Sequence, residues 1–251
     1  MVVGVDEGIE AGRNMATSVA PIRPFAFEEA IALLVSRGID ERVVRLGTIQ
    51  ESALAFARAV VAQHCPRRAL RALHVGNFVG VSLAAFSDVL IRHNRASVVL
   101  SIDPNLHHLG VQDPQNHVLA LLEHFGLQRN NVVICGYSLH RVDNETKLGT
   151  FVARPASEHT LESLERLGQR IDVALIDGNH DVNYLRGEIA VLVRLLTEGG
   201  LLMLDDVLDA HPQIRDLFEE ISGGSHELER VAYDGRLGVL RKIPAHTKHA
   251  T

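Results

Sequence analysis

Cysteine is scarce in this 251-residue chain: Cys65 and Cys135 are the only two, both in apolar contexts and without C-x-x-C spacing. A disulfide framework or a thiolate zinc site therefore has no support, and a reducing cytoplasm is the expected compartment. Basic blocks are missing too. The formal net charge of -6 is spread along the chain, so no run of phosphates would be neutralised and nucleic acid is not expected as a partner. No uninterrupted apolar run approaches the roughly 20 residues that span a bilayer. The first twenty residues, with Asp6, Glu7 and Glu10, lack the basic start and apolar stretch of a secretory signal, so a protein without membrane attachment is expected. Internal repeats and low-complexity segments are absent. Tryptophan is absent as well, yet 46% apolar and 22% charged residues are ordinary for a globular protein and exclude global disorder.

What is present has a clear order. Residues 1–22 read as a mobile tail, and 23–69 as a helical cover with helices over Phe25 to Ser36 and Thr48 to Gln63, the second opened by a Thr48-x-x-Glu51 capping box. From residue 70 to 243 short apolar runs alternate with helical segments, the pattern of repeated βαβ units and a parallel sheet. Strands are expected at Arg71 to Val75, Val98 to Ile102, Asn131 to Cys135, Val173 to Ile176 and Leu201 to Leu204. Helices are expected at Val81 to His93, Gln115 to Phe125, His159 to Leu167, Tyr184 to Leu196 and near Pro212 to Ile221. Glu227 to Tyr233 and Arg236 to Lys242 flank Asp234-Gly235, a hairpin signal. The expected fold is α/β, a doubly wound, mostly parallel seven-stranded sheet with an N-terminal helical extension and a short tail from 244 to 251. Leu139 to Glu158 is long for a connection and reads either as a specificity insertion or as a surface loop.

Two groups of residues carry chemistry. The first is His74-Val75-Gly76-Asn77-Phe78-Val79-Gly80, which leaves a strand and enters a helix. A side chain at either glycine would obstruct the turn or the approach of a ligand, and the helix start offers unpaired N–H groups. Phe78 stands where a dinucleotide fingerprint needs its second glycine, so that reading loses its close pyrophosphate contact. The second is Ile171 to His180, followed by Thr197 to Val207. Asp177 and Asp205 stand 28 positions apart, the length of one strand-end to strand-end βαβ step, so both carboxylates should end neighbouring strands on one edge.

The Gly76-x-x-x-Gly80 spacing resembles the first motif of class I S-adenosylmethionine-dependent methyltransferases, and Asp103, closing Leu100-Ser101-Ile102-Asp103, matches that family's acidic residue for the ribose hydroxyls. The resemblance implies S-adenosylmethionine bound along Gly76, Asn77, Phe78, Gly80, Asp103, Tyr137 and Ser138. The second group is similar to metal-dependent O-methyltransferases related to catechol, macrocin and mycinamicin O-methyltransferases and to cephalosporin-hydroxylase-like proteins. It implies that Asp177, Asp205 and Asp206 bind Mg²⁺ or another divalent cation, and that His180 removes a hydroxyl proton. The implied activity is metal-assisted O-methyl transfer to a hydroxylated small molecule, such as a sugar-bearing or other secondary metabolite. Two positions depart from the family: His74 replaces an acidic residue that faces the methionine ammonium, and Tyr137 replaces an aspartate that accepts from the adenine amino group.

Other readings stand beside this one. A noncatalytic binding protein on the same fold follows if those departures abolish cofactor affinity. Gly178-Asn179-His180-Asp181 is also a metallophosphoesterase-like string, but the companion motifs of that hydrolase are missing upstream, and Asp209-Ala210-His211 comes after it. An oxygenase needs a two-histidine, one-carboxylate iron site, which the sequence does not display. His107, His108 and His117 have no metal spacing. The N-terminal helices are expected either to close over the site or to form a homodimer interface, the homodimer being favoured.

Overall fold

The computed structural model describes residues 21–139 and 160–245. The expected tails, apart from Pro21, Ile22 and Pro244-Ala245, and the insertion beyond Leu139 lie outside the described residues. Helices α1 (Phe27–Ser36), α2 (Glu41–Leu46) and α3 (Glu51–His64) precede β1 (Arg71–Val75). Then follow α4 (Val81–His93), β2 (Val98–Asp103), α5 (Gln115–His124), a 3₁₀ turn at Gln128–Asn130, β3 (Asn131–Cys135), α6 (Thr160–Arg166), β4 (Ile171–Ile176) and α7 (Val182–Leu195). The chain continues with β5 (Leu196–Leu204), α8 (Pro212–Gly224), β6 (Leu228–Tyr233) and β7 (Gly238–Lys242). The strands form one seven-stranded sheet in the order β3-β2-β1-β4-β5-β7-β6. Only β7 runs antiparallel to the rest of the sheet. The order reverses between β1 and β4, the switch point outside which ligands bind in doubly wound folds.

The inner strands β1, β4 and β5 alternate their side chains between two buried layers, as a sheet covered on both faces requires, while the edge strands β3 and β6 are partly exposed. Ala72, Val99, Val173, Leu175, Leu201 and Met203 join a core with α1, α3, α4 and α5. Leu73, Val75, Ile102, Ala174, Ile176, Leu202 and Leu204 join a second core with α6, α7 and α8. Ile176 pairs with Leu204 in parallel register. One residue further on, Asp177 and Asp205 therefore leave adjacent strand ends on the side of Leu175 and Met203, beneath α4. Sequence period and sheet register together make those carboxylates neighbours.

Several expectations change. The capping box does not form: α3 starts at Glu51 with no side-chain cap, and the buried Thr48 hydroxyl lies 3.4 Å from Ser82 Oγ instead. The short helix α2 has only six residues, too few for periodicity to reveal, and is opened by Asp40, which accepts from the Arg42 N–H. The final central strand, expected from Leu201, begins at Leu196 and takes in the Thr197-Glu198-Gly199-Gly200 stretch. Arg236, expected in the last strand, lies instead in the turn before Gly238. No helix among the described residues is long and apolar enough to cross a membrane.

Candidate active site

The glycine turn at the end of β1 is built by necessity. Gly76 has φ +90°, and a Cβ there would come within 2.1 Å of the Asp177 carbonyl oxygen. Gly80, φ +95°, precedes α4 and would drive a Cβ to 2.8 Å from the Val118 backbone. Glycine alone combines the left-handed backbone with these close approaches. Between them Phe78 also adopts a positive φ of 44°. The turn is held from β2: Asp103 Oδ2 accepts from the N–H groups of Asn77 at 2.8 Å and Phe78 at 3.2 Å. Its Oδ1 accepts from Asn105 N–H at 2.7 Å. A carboxylate has room for about four donors, so acceptor capacity remains for a hydroxyl. Burial raises the Asp103 pKa, against the lowering effect of these three N–H groups. Asn77, Phe78, Asp103, Gln115, Val118 and Val133 line a cleft of about 170 Å³ at this edge.

His74 lies wholly buried one turn below. Its ring packs 5.9 Å from that of Phe86, and Nδ1 sits 3.2 Å from Asn77 Oδ1. Asn77 in turn donates to Ser101 Oγ. Burial pushes His74 down to about 4, so the imidazole is neutral at physiological pH. It supplies no negative charge to the site and instead fixes the side chain of Asn77.

On the other side of the Gly76 turn, Asp177, Gly178, Asn179, His180, Asp205 and Asp206 join Ile176, Leu185, Leu204 and Ile214 around a cleft of about 230 Å³. Single ligand oxygens of Asp177, Asp205 and Asp206 lie within 4.8 Å of one another. Burial, then the charge of Asp205, drive the Asp177 carboxyl well above the usual range, despite a hydrogen bond from Ser82. The Ser82 hydroxyl also accepts from Ile49 N–H at 3.0 Å, so the segment joining α2 to α3 is tied to the acidic group. Asp206 adopts a positive φ of 58° and pairs with His180, whose Nε2 lies 3.0 Å from Asp206 Oδ2. Burial pushes the Asp206 pKa up, but the His180 hydrogen bond and the nearby charges of Arg236, His180 and His211 outweigh it and leave it lowered.

Arg236 supplies the cation that sequence reading missed. Its guanidinium grips Asp205 through Nε–Oδ1 at 2.8 Å and Nη2–Oδ2 at 2.7 Å, and reaches Asp206 Oδ1 at 3.1 Å. Desolvation would lower its pKa, but Asp205 and the other two carboxylates raise it. No local signal marks Arg236; the β5–β7 register, with Leu204 opposite Gly238, carries the hairpin turn to the strand end. His211 was missed for the same reason. It precedes α8, and its ring centroid is 4.7 Å from that of His180. The expectation that the chain has no two-histidine, one-carboxylate set is corrected here: His180, Asp206 and His211 bring one ligand atom each within 4.8 Å. Their sequence spacing hides this, since His180 follows β4 while Asp206 and His211 lie in the β5–α8 connection.

His180 does not cap the following helix, because Asp181 does, accepting from the Asn183 and Tyr184 N–H groups. Tyr137 and Ser138 line neither cleft. Their carbonyls accept from Thr160 and Leu161 N–H at the start of α6, and the Ser138 hydroxyl donates to Glu188 on α7.

A profile described as a methyltransferase domain matches residues 73–207, more than half of the chain. The chain belongs to the methyltransferase domain family. Among solved structures, this methyltransferase is similar to the O-methyltransferase of Bacillus cereus in complex with SAH, at 13% identity and a TM-score of 0.59 over 87% of this chain and 90% of that one. It is also similar to the SAM-bound O-methyltransferase of Streptomyces achromogenes involved in tomaymycin synthesis, at 13% identity and 0.58 over 87% and 89%. The SAH-bound methyltransferase of Podospora anserina gives 12% identity and 0.59 over 88% and 89%. A search of curated proteins gave no match. At these identities the neighbours establish that the methyltransferase shares their fold.

Proposed function

We propose that this methyltransferase uses S-adenosylmethionine and a divalent cation to methylate a hydroxyl of a small molecule. The observation that carries the reading is the gathering of Asp177, Asp205 and Asp206 beside His180, across the Gly76 turn from the Asp103 cleft. The residues fit a divalent cation: three carboxylates gather where one guanidinium pairs with only two of them, Asp205 and Asp206, and the buried Asp177 lacks enough positive charge to ionise easily. They fit the cofactor too, since Asp103 retains an acceptor position for a ribose hydroxyl and Phe78 and Val133 offer apolar walls. When bound, the cation would lower the pKa of the acceptor hydroxyl.

The chain's own residues do the rest. Asp206 holds the His180 ring by accepting from Nε2–H, which leaves Nδ1 to take the hydroxyl proton. Arg236 fixes Asp205 and Asp206, so two of the carboxylates are set in place before any ligand arrives. Direct transfer then needs positioning and deprotonation, with no covalent enzyme intermediate.

The test is methyl transfer from S-adenosylmethionine to a panel of polyhydroxylated acceptors, with and without exhaustive chelation. Chelation and Asp177→Asn should each abolish transfer while Asp177→Asn still binds S-adenosylhomocysteine. His180→Gln should cut turnover by about two orders of magnitude. Equal activity after chelation removes the metal. Absence of any heat or thermal shift with millimolar cofactor removes the enzyme reading in favour of a noncatalytic binding protein.

A further inference from the structure

We propose that His180, Asp206 and His211 form a second cation site, one that takes a borderline transition-metal ion such as Zn²⁺ or Co²⁺ and shares Asp206 with the acidic triad. The three residues come from two connections: His180 from the one after β4, and Asp206 and His211 from the one between β5 and α8. One nitrogen of each imidazole and one carboxylate oxygen of Asp206 lie within 4.8 Å of one another. Two ligands at the ordinary transition-metal bond length of about 2.1 Å and at a tetrahedral angle are separated by about 3.4 Å, a few tenths of an ångström beyond the pair observed here. His180 Nε2 and Asp206 Oδ2 are already 3.0 Å apart.

The histidine rings are arranged as separate ligands, with planes tilted 55° apart. Arg236 occupies Asp206 Oδ1 at 3.1 Å and so turns Oδ2 toward His180. Asp206 is thereby a one-oxygen ligand whose direction is fixed by a neighbour outside the set. Ligand chemistry separates this site from the triad. Two imidazoles and one carboxylate prefer Zn²⁺, Co²⁺ or Ni²⁺, whereas three carboxylates suit Mg²⁺. His180 is 45% exposed along its side chain, which gives an ion entry from solvent.

Binding puts a metal–nitrogen bond on His180 Nε2 and shifts the ring's single proton to Nδ1, the nitrogen that would otherwise take the hydroxyl proton. If His180 is the proton acceptor, a point that rests on the proposed function, an ion held here withdraws it from catalysis. Zn²⁺ should then inhibit the same methyl transfer that Mg²⁺ supports.

The experiment is a Co²⁺ titration of the full chain in excess Mg²⁺, read by the visible ligand-field bands of imidazole-ligated cobalt, with Zn²⁺ affinity measured by calorimetry. Wild type should develop the bands. His211→Asn and His211→Gln should weaken Co²⁺ and Zn²⁺ binding by at least about tenfold, since a lost ligand costs no less than a lost ligand support. Asp177→Asn should retain the bands, because Asp177 belongs only to the triad. Circular dichroism of each variant verifies the fold. No bands in wild type, unchanged bands in both His211 variants, or bands lost in Asp177→Asn and kept in His211→Asn would each overturn the second site. None of these outcomes touches the triad reading, which is decided by Mg²⁺ binding to wild type and Asp177→Asn.

Discussion

At the scale of single residues, buried ionisable groups divide into those that are paired and those left in apolar surroundings. Asp172 at the start of β4 is a paired one: it takes two hydrogen bonds from the Arg68 guanidinium, one from Arg71 N–H and one from Thr197. It is structural, and the depressed pKa follows from those donors exceeding the effect of its burial. Glu188 is the opposite case. Burial lifts its carboxyl to about 8, the Ser138 hydroxyl is its hydrogen-bond partner, and Oε2 has none. Glu188 is thus protonated in the folded chain at neutral pH and ionised in the unfolded chain. The folded state binds the extra proton, so Glu188 makes stability fall as pH rises from about 4.5 to about 8. His74, lowered to about 4 from 6.5, acts with the opposite sign: stability rises with pH across that window, because only the unfolded chain takes up the proton. The two effects oppose each other between about 4.5 and 6.5, leaving the Glu188 loss visible above 6.5. Denaturant melts at pH 6.5 and pH 8.5 should show wild type losing stability and Glu188→Gln losing markedly less. Equal losses would show that Glu188 is already ionised at pH 6.5.

At the scale of elements, the turn between β1 and α4 joins fold to site. Gly76 N–H donates to Ile102 O, and Asp177 N–H to Val75 O, so one turn is stitched to the ends of both neighbouring strands. The Cα of Gly76 then packs against Gly178, leaving no volume for a methyl group. Gly76→Ala should cost about 3 kcal/mol or more, since it forces a left-handed alanine against backbone that cannot yield. It should also displace Asp177 and the N–H groups of Asn77 and Phe78 that Asp103 holds. A thermal melt reads the first effect and cofactor calorimetry the second; a melting temperature within a degree of wild type would show that the turn relaxes cheaply. The helices at this edge are equally specific in their starts. Asp181 caps α7, and Pro212 sits in the first turn of α8, where no N–H is needed. Both caps leave His180 and His211, the residues just before them, with side chains available for chemistry.

At the scale of the whole molecule, the N-terminal helices belong to the core and are no detachable cover. Phe25, Ile31, Leu34, Val44, Leu54 and Val61 share one buried cluster with α4, α5 and the strands, and the buried Asp88 of α4 accepts from Phe25 N–H while pairing with Arg58 of α3. Phe25→Ala, which removes a ring packed 5.1 Å from Phe125, should destabilise by about 3 to 5 kcal/mol and lower a single cooperative transition. A separate early transition in calorimetry would show instead that the helices unfold on their own. The strands, the βαβ alternation and the adjacency of Asp177 and Asp205 were legible in the chain, because buried parallel strands impose apolar runs and one crossover has a set length. The Gly76 turn and Asp103 were legible from their places at strand ends, though the contacts that demand them, with Asp177 and Gly178 for Gly76 and with Asn77 and Phe78 for Asp103, come from other segments. Arg236, His211 and Ser82 were not. Their places beside the three aspartates depend on which strands pair and where α4 and α8 begin, and local periodicity carries no record of contacts between segments that meet only when the sheet has formed.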